Sequence, residues 1–268
     1  MLPLPFLTRR TALVGMVHLD ALPGSPGFEG DLDAVCAHAE ADARALVEAG
    51  FEALMVENFH DAPFYKDHLP PETVAALTRC ALAVGAAAPG LPLGINALRN
   101  DGLAALGIAA AVGARFIRVN VLCGAMVTDQ GIIEGCAAAL QRMRMVVGRE
   151  VAVWADVAVK HASPLAALDP VQAARDLVYR GRADALIVSG TGTGQPTSPD
   201  QVRAVRAAVP GVAVLVGSGT TAANLASLEA DAVIVGTALK GGDGRIDGAR
   251  AAALRGAADR SATRAAQM

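Results

Sequence analysis

The runs Val212-Ala213-Val214-Leu215-Val216-Gly217-Ser218-Gly219 and Ala232-Val233-Ile234-Val235-Gly236-Thr237-Ala238 decide how this chain folds. Each is a short β-branched stretch that stops at a glycine, and one short Ala-rich connection separates them. They read as neighbouring strands of a parallel sheet, joined by a crossover. Six more runs of the same kind lie upstream, at residues 13–18, 53–57, 92–96, 115–119, 151–156 and 185–189. With 212–216 and 232–235 they make eight. Helices are expected between them at 32–49, 71–87, 102–112, 131–147, 170–180, 199–208 and 222–228, with a last one at 248–259. Several open on a capping residue, as in Asp169-Pro170 and Ser198-Pro199. Eight βα units without a linker or a break in composition read as one (β/α)8 TIM barrel over residues 1–268, with 261–268 as a frayed tail. A doubly wound open sheet is the alternative. It calls for a Gly-rich turn after the first strand, and the turn after His18 has a different character.

Composition points the same way. Of 268 residues 53% are hydrophobic and only 3% aromatic, and 58 are Ala, so the apolar content is mostly small side chains suited to closely packed helices. With 18% charged residues and a net charge of -3, the chain is neither disordered by composition nor a polyanion binder, and no nucleic-acid partner is expected. Its uncharged stretches fall short of the ~20 residues that span a bilayer, so no transmembrane segment is expected either. Cys36, Cys80, Cys123 and Cys136 are dispersed without metal-ligand spacing and read as reduced thiols in a cytoplasmic protein. Arg9-Arg10 ahead of an apolar run is similar to a twin-arginine leader. However, His18 and Asp20 break that run, no A-x-A site follows, and the run is needed as the first strand.

Barrel enzymes carry their chemistry at the C-terminal ends of the strands. Here those ends hold His18, Glu57, Asn96, Asn120, Asp156 with Lys160 and His161, Ser189 with Thr191, Gly217-Ser218-Gly219, and Gly236-Thr237. The strand starts are largely apolar, and this asymmetry argues for a site. Gly217, Ser218, Gly219, Gly236 and Thr237 offer bare backbone where barrels hold phosphate on loop N–H groups; the plainer reading is two tight turns. Gly190-Thr191-Gly192-Thr193-Gly194 adds donors beside them but is neither a Walker A loop nor GxGxxG. Asp156 and Lys160 would share a face if strand geometry persisted, as a catalytic pair or as a salt bridge closing the rim. Glu57 ends a buried strand, where desolvation raises a carboxyl pKa and suits it to acid–base work; an ion pair with Lys160 or an Arg is the plainer reading. His18, His60 and His161 lack HxH or HExxH spacing, so no metal and no cofactor are assigned. Arg99 and Arg118 read either as contacts to a substrate anion or as rim pairs. The loops at 19–31 and 120–130 are long enough to be lids.

Taken in order, Met16-Val17-His18-Leu19, Val56-Glu57-Asn58-Phe59, Asn96-Ala97-Leu98-Arg99-Asn100, Arg118-Val119-Asn120, Val159-Lys160-His161-Ala162 and the two glycine turns resemble the BtpA family, which includes SgcQ-type proteins. The resemblance runs over nearly the whole chain. It implies a barrel of the ribulose-phosphate-binding type, in agreement with the phosphate reading of the glycines. It also implies two unlike roles, because the cyanobacterial namesake is linked to photosystem I accumulation at the membrane surface while SgcQ-like members are called nucleosidases. The photosystem role is not carried over, since no chlorophyll-type aromatic pocket or basic membrane-binding helix is visible. Ala158 stands where the family pattern has a polar residue, often His, and Ser189 replaces a usual Thr. The first departure removes one group from the expected acid–base set.

The expectation is therefore an enzyme acting on a phosphorylated sugar or nucleotide-like substrate. Glu57, Asp156, Lys160 and His161 would carry the chemistry, while His18, Asn96, Asn120, Thr191 and the glycine turns hold the ligand. Nucleosidase-type cleavage would use Glu57 or Asp156 at an oxocarbenium-like centre, with Lys160 or His161 assisting the leaving group. An isomerase or aldolase would use Glu57 to move a proton and Lys160 to stabilise an enolate or form a Schiff base. A non-catalytic assembly factor is the competing class. The expected partner is a phosphorylated small molecule, and association into a homo-oligomer is left open.

Overall fold

Strand alternation sends every second residue into the barrel, and the computed structural model follows that parity. It describes residues 2, 6, 11–190 and 196–267, with side chains as far as 261. Numbered in chain order, the barrel strands are β1 (Ala12–His18), β2 (Ala53–Glu57), β3 (Leu93–Asn96), β4 (Phe116–Val119), β7 (Ala152–Asp156), β9 (Ala185–Val188), β10 (Ala213–Val216) and β11 (Ala232–Val235). All neighbours pair in parallel and β1 closes the ring between β11 and β2. The closed ring excludes the open-sheet alternative. β5 (Ala125–Thr128), β6 (Gly131–Glu134) and β8 (Ala162–Pro164) form a separate antiparallel sheet in the order β6-β5-β8. The helices are α1 (Leu32–Glu48), α2 (Pro71–Ala87), α3 (Gly102–Val112), α4 (Ala137–Val147), α5 (Pro170–Arg175), α6 (Pro199–Ala208) and α7 (Gly248–Gln267).

Inward positions build one core and outward positions another. Ala12, Val14, Met16, Met55, Phe116 and Trp154 pack inside the ring, whereas Leu13, Val17, Leu54, Val56, Ile117 and Val153 pack against the helices. Phe116 and Trp154 stack across the interior at 3.8 Å between centroids. The facing position on β3 is Gly94, and any Cβ there would collide with the Phe116 ring. Small and large residues thus interdigitate to fill the barrel with side chains.

Three expectations need correction. The helix expected over 131–147 starts only at Ala137, because Gly131–Glu134 pairs with Ala125–Thr128 as a hairpin. Gly131 adopts φ +102° at that turn, and the β-branched Ile132-Ile133 that follow suit a strand. The stretch 222–228 holds only a 3₁₀ turn, Leu225–Ser227, for lack of room between closely spaced strands. The last helix, expected to end at 259, runs to Gln267, where Ala-rich sequence without Gly or Pro favours helix. Among the described residues, no helix is long and apolar enough to cross a membrane.

Candidate active site

Alternation continues one step beyond the apolar layers. The next inward positions are His18, Glu57, Asn96, Arg118, Asp156, Ser189, Gly217 and Gly236. Strand register sets His18 level with Glu57, Glu57 with Asn96, and Asn96 with Arg118. The polar strand ends therefore form one layer that lids the core and floors the mouth.

Asp156 anchors one side of that layer. Arg118 grips it through two hydrogen bonds, Nε to Oδ2 at 2.9 Å and Nη2 to Oδ1 at 2.8 Å. Asn120 Nδ2 donates to Oδ2 at 2.9 Å and Ser189 Oγ to Oδ1 at 3.3 Å. Both oxygens of this buried carboxylate are thus engaged, in the bidentate geometry that arginine favours. Arg118 entered the sequence reading either as a contact to a substrate anion or as a rim pair; it is buried and is the principal partner of Asp156. The spacing Phe116, Arg118, Asn120 was the signal available, because the same parity that buries Phe116 turns Arg118 inward.

Glu57 holds the other side. It is buried, accepts a hydrogen bond from Asn96 Nδ2, and lies 3.7 Å from His18 Nε2. Burial pushes its pKa up, while Arg118 and Lys160 pull against that rise. The His18 ring stacks on Phe59 at 4.2 Å, and burial, assisted by Lys240, His60 and other nearby cationic groups, pushes its pKa down to about 3. We expect the His18 imidazole to stay neutral in an NMR titration from pH 5 to 8; a ring shift with a midpoint near 6.5 would contradict it. Between about 3 and 6.5 only the unfolded chain protonates this side chain, so acidification across that window removes stability.

Lys160 reaches the mouth by an unexpected route. The strand ends at Asp156, so Asp156 and Lys160 do not share a strand face. The chain instead loops back, and Lys160 Nζ donates to the Gly217 carbonyl at 2.9 Å while Arg99 Nη2 braces the Lys160 carbonyl at 2.5 Å. Burial, with Arg118 adding repulsion, pushes the Lys160 pKa down to about 8. His161 follows in a left-handed conformation, φ +52°, and is exposed at the edge of the mouth. Thr191 lies outside the described residues.

These groups enclose a cleft with two lobes. The first, about 290 Å³, is walled by Gly217, Ser218, Gly219, Thr220, Gly236 and Thr237. The second, about 420 Å³, is walled by Asn96, Arg99, Asn120, His161, Phe64 and Leu98 among others. Glu57, Phe59, Arg118 and Lys160 line both. A Cβ on Gly217 would lie 2.5 Å from Ser189 Oγ, and one on Gly236 would lie 2.6 Å from His18 Cε1. Absent side chains at these two positions are therefore a packing requirement as well as an opening. Phe59 and Thr220 were missed by sequence reasoning, since their place in the cleft depends on loop closure. Among the described residues, no three His, Cys, Asp or Glu side chains are grouped to hold a metal ion.

Comparison with known proteins agrees with this frame. An uncharacterized protein of Thermococcus kodakarensis is 50% identical over 240 residues, covering 89% of this chain and 90% of that protein. The photosystem I biogenesis protein BtpA of Synechocystis is 45% identical over 234 residues, covering 85% of this chain and 80% of its own length. Among solved structures, phosphoribosyl anthranilate isomerase from Thermus thermophilus superposes with a TM-score of 0.57 at 15% identity, covering 93% of this chain and 99% of that one, a likeness of fold. The model of the BtpA family matches residues 9–260, and the chain belongs to that family.

Proposed function

We propose that this protein is an enzyme of phosphorylated small molecules of the sugar-phosphate kind, and that it moves protons at carbon as an isomerase or carbon–carbon lyase. The observation that carries the reading is the pairing of Glu57 and Lys160 at the junction of the two lobes. Burial drives the carboxyl pKa up and the ammonium pKa down to about 8, which brings an acid and a base toward the same working range. The phosphate would sit in the glycine-walled lobe, on backbone N–H groups at 218–219 and 236–237 with the Lys160 charge beside it, the Gly217 N–H being engaged by the Val188 carbonyl at 2.9 Å. The reacting carbons would lie in the second lobe within reach of Glu57. A neighbour of the same fold is by name an isomerase of a phosphoribosyl compound, so the fold is compatible with such a ligand. Glycosidic cleavage through the usual pair of carboxylates is less well served, because both oxygens of Asp156 are already engaged. In this reading Asp156 positions Arg118 and Asn120, and His161 stands at the entrance. The four free thiols fit a reducing compartment such as the cytoplasm.

A thermal-shift screen against phosphosugars tests the reading. A ligand at one hundred times its Kd stabilises by about 2.7 kcal/mol, or roughly 5–10 °C for a chain of this size. No shift with any phosphorylated compound would overturn it. The name of the Synechocystis relative favours a second reading, a non-catalytic assembly factor. Such a factor would keep its function in Glu57→Gln and Lys160→Met variants, whereas an enzyme would lose turnover.

The pH dependence follows from Lys160. Its charge is present below about 8 and lost above, so phosphate affinity is expected to fall about tenfold per pH unit above that point. Below about pH 6 the ligand itself loses its second charge and affinity falls again. Calorimetric titrations from about pH 4 to 10 check both limbs; a Kd that stays flat through pH 9 would remove Lys160 from the anion site.

A further inference from the structure

We infer that Asn120 is a specificity residue that reads a hydroxyl group on the ligand, so that the substrate is the phosphate ester of a polyhydroxylated chain. This deepens the proposed function and rests on its phosphate-binding reading. Asn120 follows β4 and is 4% exposed. Its Nδ2 donates to Asp156 Oδ2, and a carboxylate oxygen can only accept there, so the amide cannot flip. Its Oδ1 is thereby directed away from Asp156. Among the described residues that buried oxygen has no hydrogen-bond partner, and Asn120 forms part of the wall of the second lobe. Buried acceptors are nearly always satisfied in folded proteins, so an orphan beside a cleft marks the place of a ligand donor.

The donor is a hydroxyl and not an ammonium. Arg99, Arg118 and Lys160 line the same lobe and repel a cation. A hydroxyl is neutral, and it both donates to Asn120 Oδ1 and accepts from the surrounding cationic donors. The first lobe has a counterpart in Thr220, 1% exposed, whose Oγ1 is likewise unpartnered among the described residues and lies in the wall of the glycine lobe. One orphan thus stands in each lobe, a hydroxyl beside the phosphate cradle and an amide oxygen beside the carbon chain.

Affinities of inorganic phosphate, pentyl phosphate and ribitol 5-phosphate for the full chain test this. Ribitol 5-phosphate should bind at least about tenfold more tightly than pentyl phosphate, since the alkyl chain leaves Asn120 Oδ1 unpaired. In Asn120→Leu that ratio should shrink about tenfold, with pentyl phosphate binding as well as before or better and inorganic phosphate unchanged within about twofold. An unchanged ratio in the variant, or equal affinities in the wild-type protein, would overturn the assignment of Asn120 and leave the phosphate reading standing. If none of the three binds, the phosphate reading fails and this inference falls with it. Should Asn120→Leu not fold, singly deoxygenated ribitol 5-phosphates against the wild-type protein decide. Loss of one particular hydroxyl should cost about tenfold, and a uniform small loss at every position would refute the proposal.

Discussion

Asp156→Ala is expected to lower stability by about 3–5 kcal/mol, because it leaves the Arg118 guanidinium buried without its counter-charge. Arg118 is 7% exposed and Asp156 3% exposed, so the guanidinium meets water only along the wall of the cleft, too little to replace the two hydrogen bonds it loses. Asn120 and Ser189 lose their acceptor in the same step. A chain of this size should melt roughly 10 °C lower. The loss belongs to the broken pair and not to the pair's net worth, since desolvating both charges already cost much of what their attraction returns. The double variant Asp156→Leu with Arg118→Met should therefore recover much of the stability while leaving phosphate chemistry impaired. Urea unfolding of the three proteins checks this. A single-variant loss under about 1 kcal/mol would mean that the pair is solvated and that Asp156 is available for other work.

The fold was legible because parallel barrel strands, buried on both faces, are marked by continuous β-branched runs, and each of the eight expected strands lies within one residue of its observed bounds. The hairpin Ala125–Glu134 was hidden for a different reason. The helical pattern of 137–147 extends backward without contradiction through two isoleucines, and only pairing across a tight turn with the preceding Ala125–Thr128 turns those residues into a strand. The site was legible in position more than in role. Polar residues at strand ends identify Glu57, Asn96, Asn120 and Asp156, but which carboxylate is tied and which is available depends on the Arg118 rotamer. Lys160 was selected by extrapolating strand periodicity past Asp156; it reaches the cleft although that periodicity stops, because the loop folds back over Gly217. Tertiary contacts of this kind leave no periodic trace.

Gly236→Val is expected to abolish measurable binding of inorganic phosphate and of ribose 5-phosphate while leaving the barrel folded. A Cβ at 236 would stand 2.6 Å from His18 Cε1, 3.0 Å from His18 Nε2 and 3.1 Å from Met16 Cβ. The His18 ring cannot simply retreat, because its face rests on Phe59. Overpacking of this kind costs about 1–3 kcal/mol, which a domain with a typical margin of about 5–15 kcal/mol survives. The larger effect is on the ligand. The branched side chain fills the first lobe, whose wall Gly236 and Thr237 help to form, and displacing His18 disturbs Glu57 beside it. Gly236→Ala should sit between the extremes, with affinity reduced about tenfold, equivalent to about 1.4 kcal/mol. Gly242 supplies the control, since no atom lies within 4 Å of a Cβ there and Gly242→Ala should change neither melting temperature nor affinity. Wild-type affinity in Gly236→Val, with a melting temperature that confirms folding, would place the anion elsewhere and reduce the two glycine turns to a packing device.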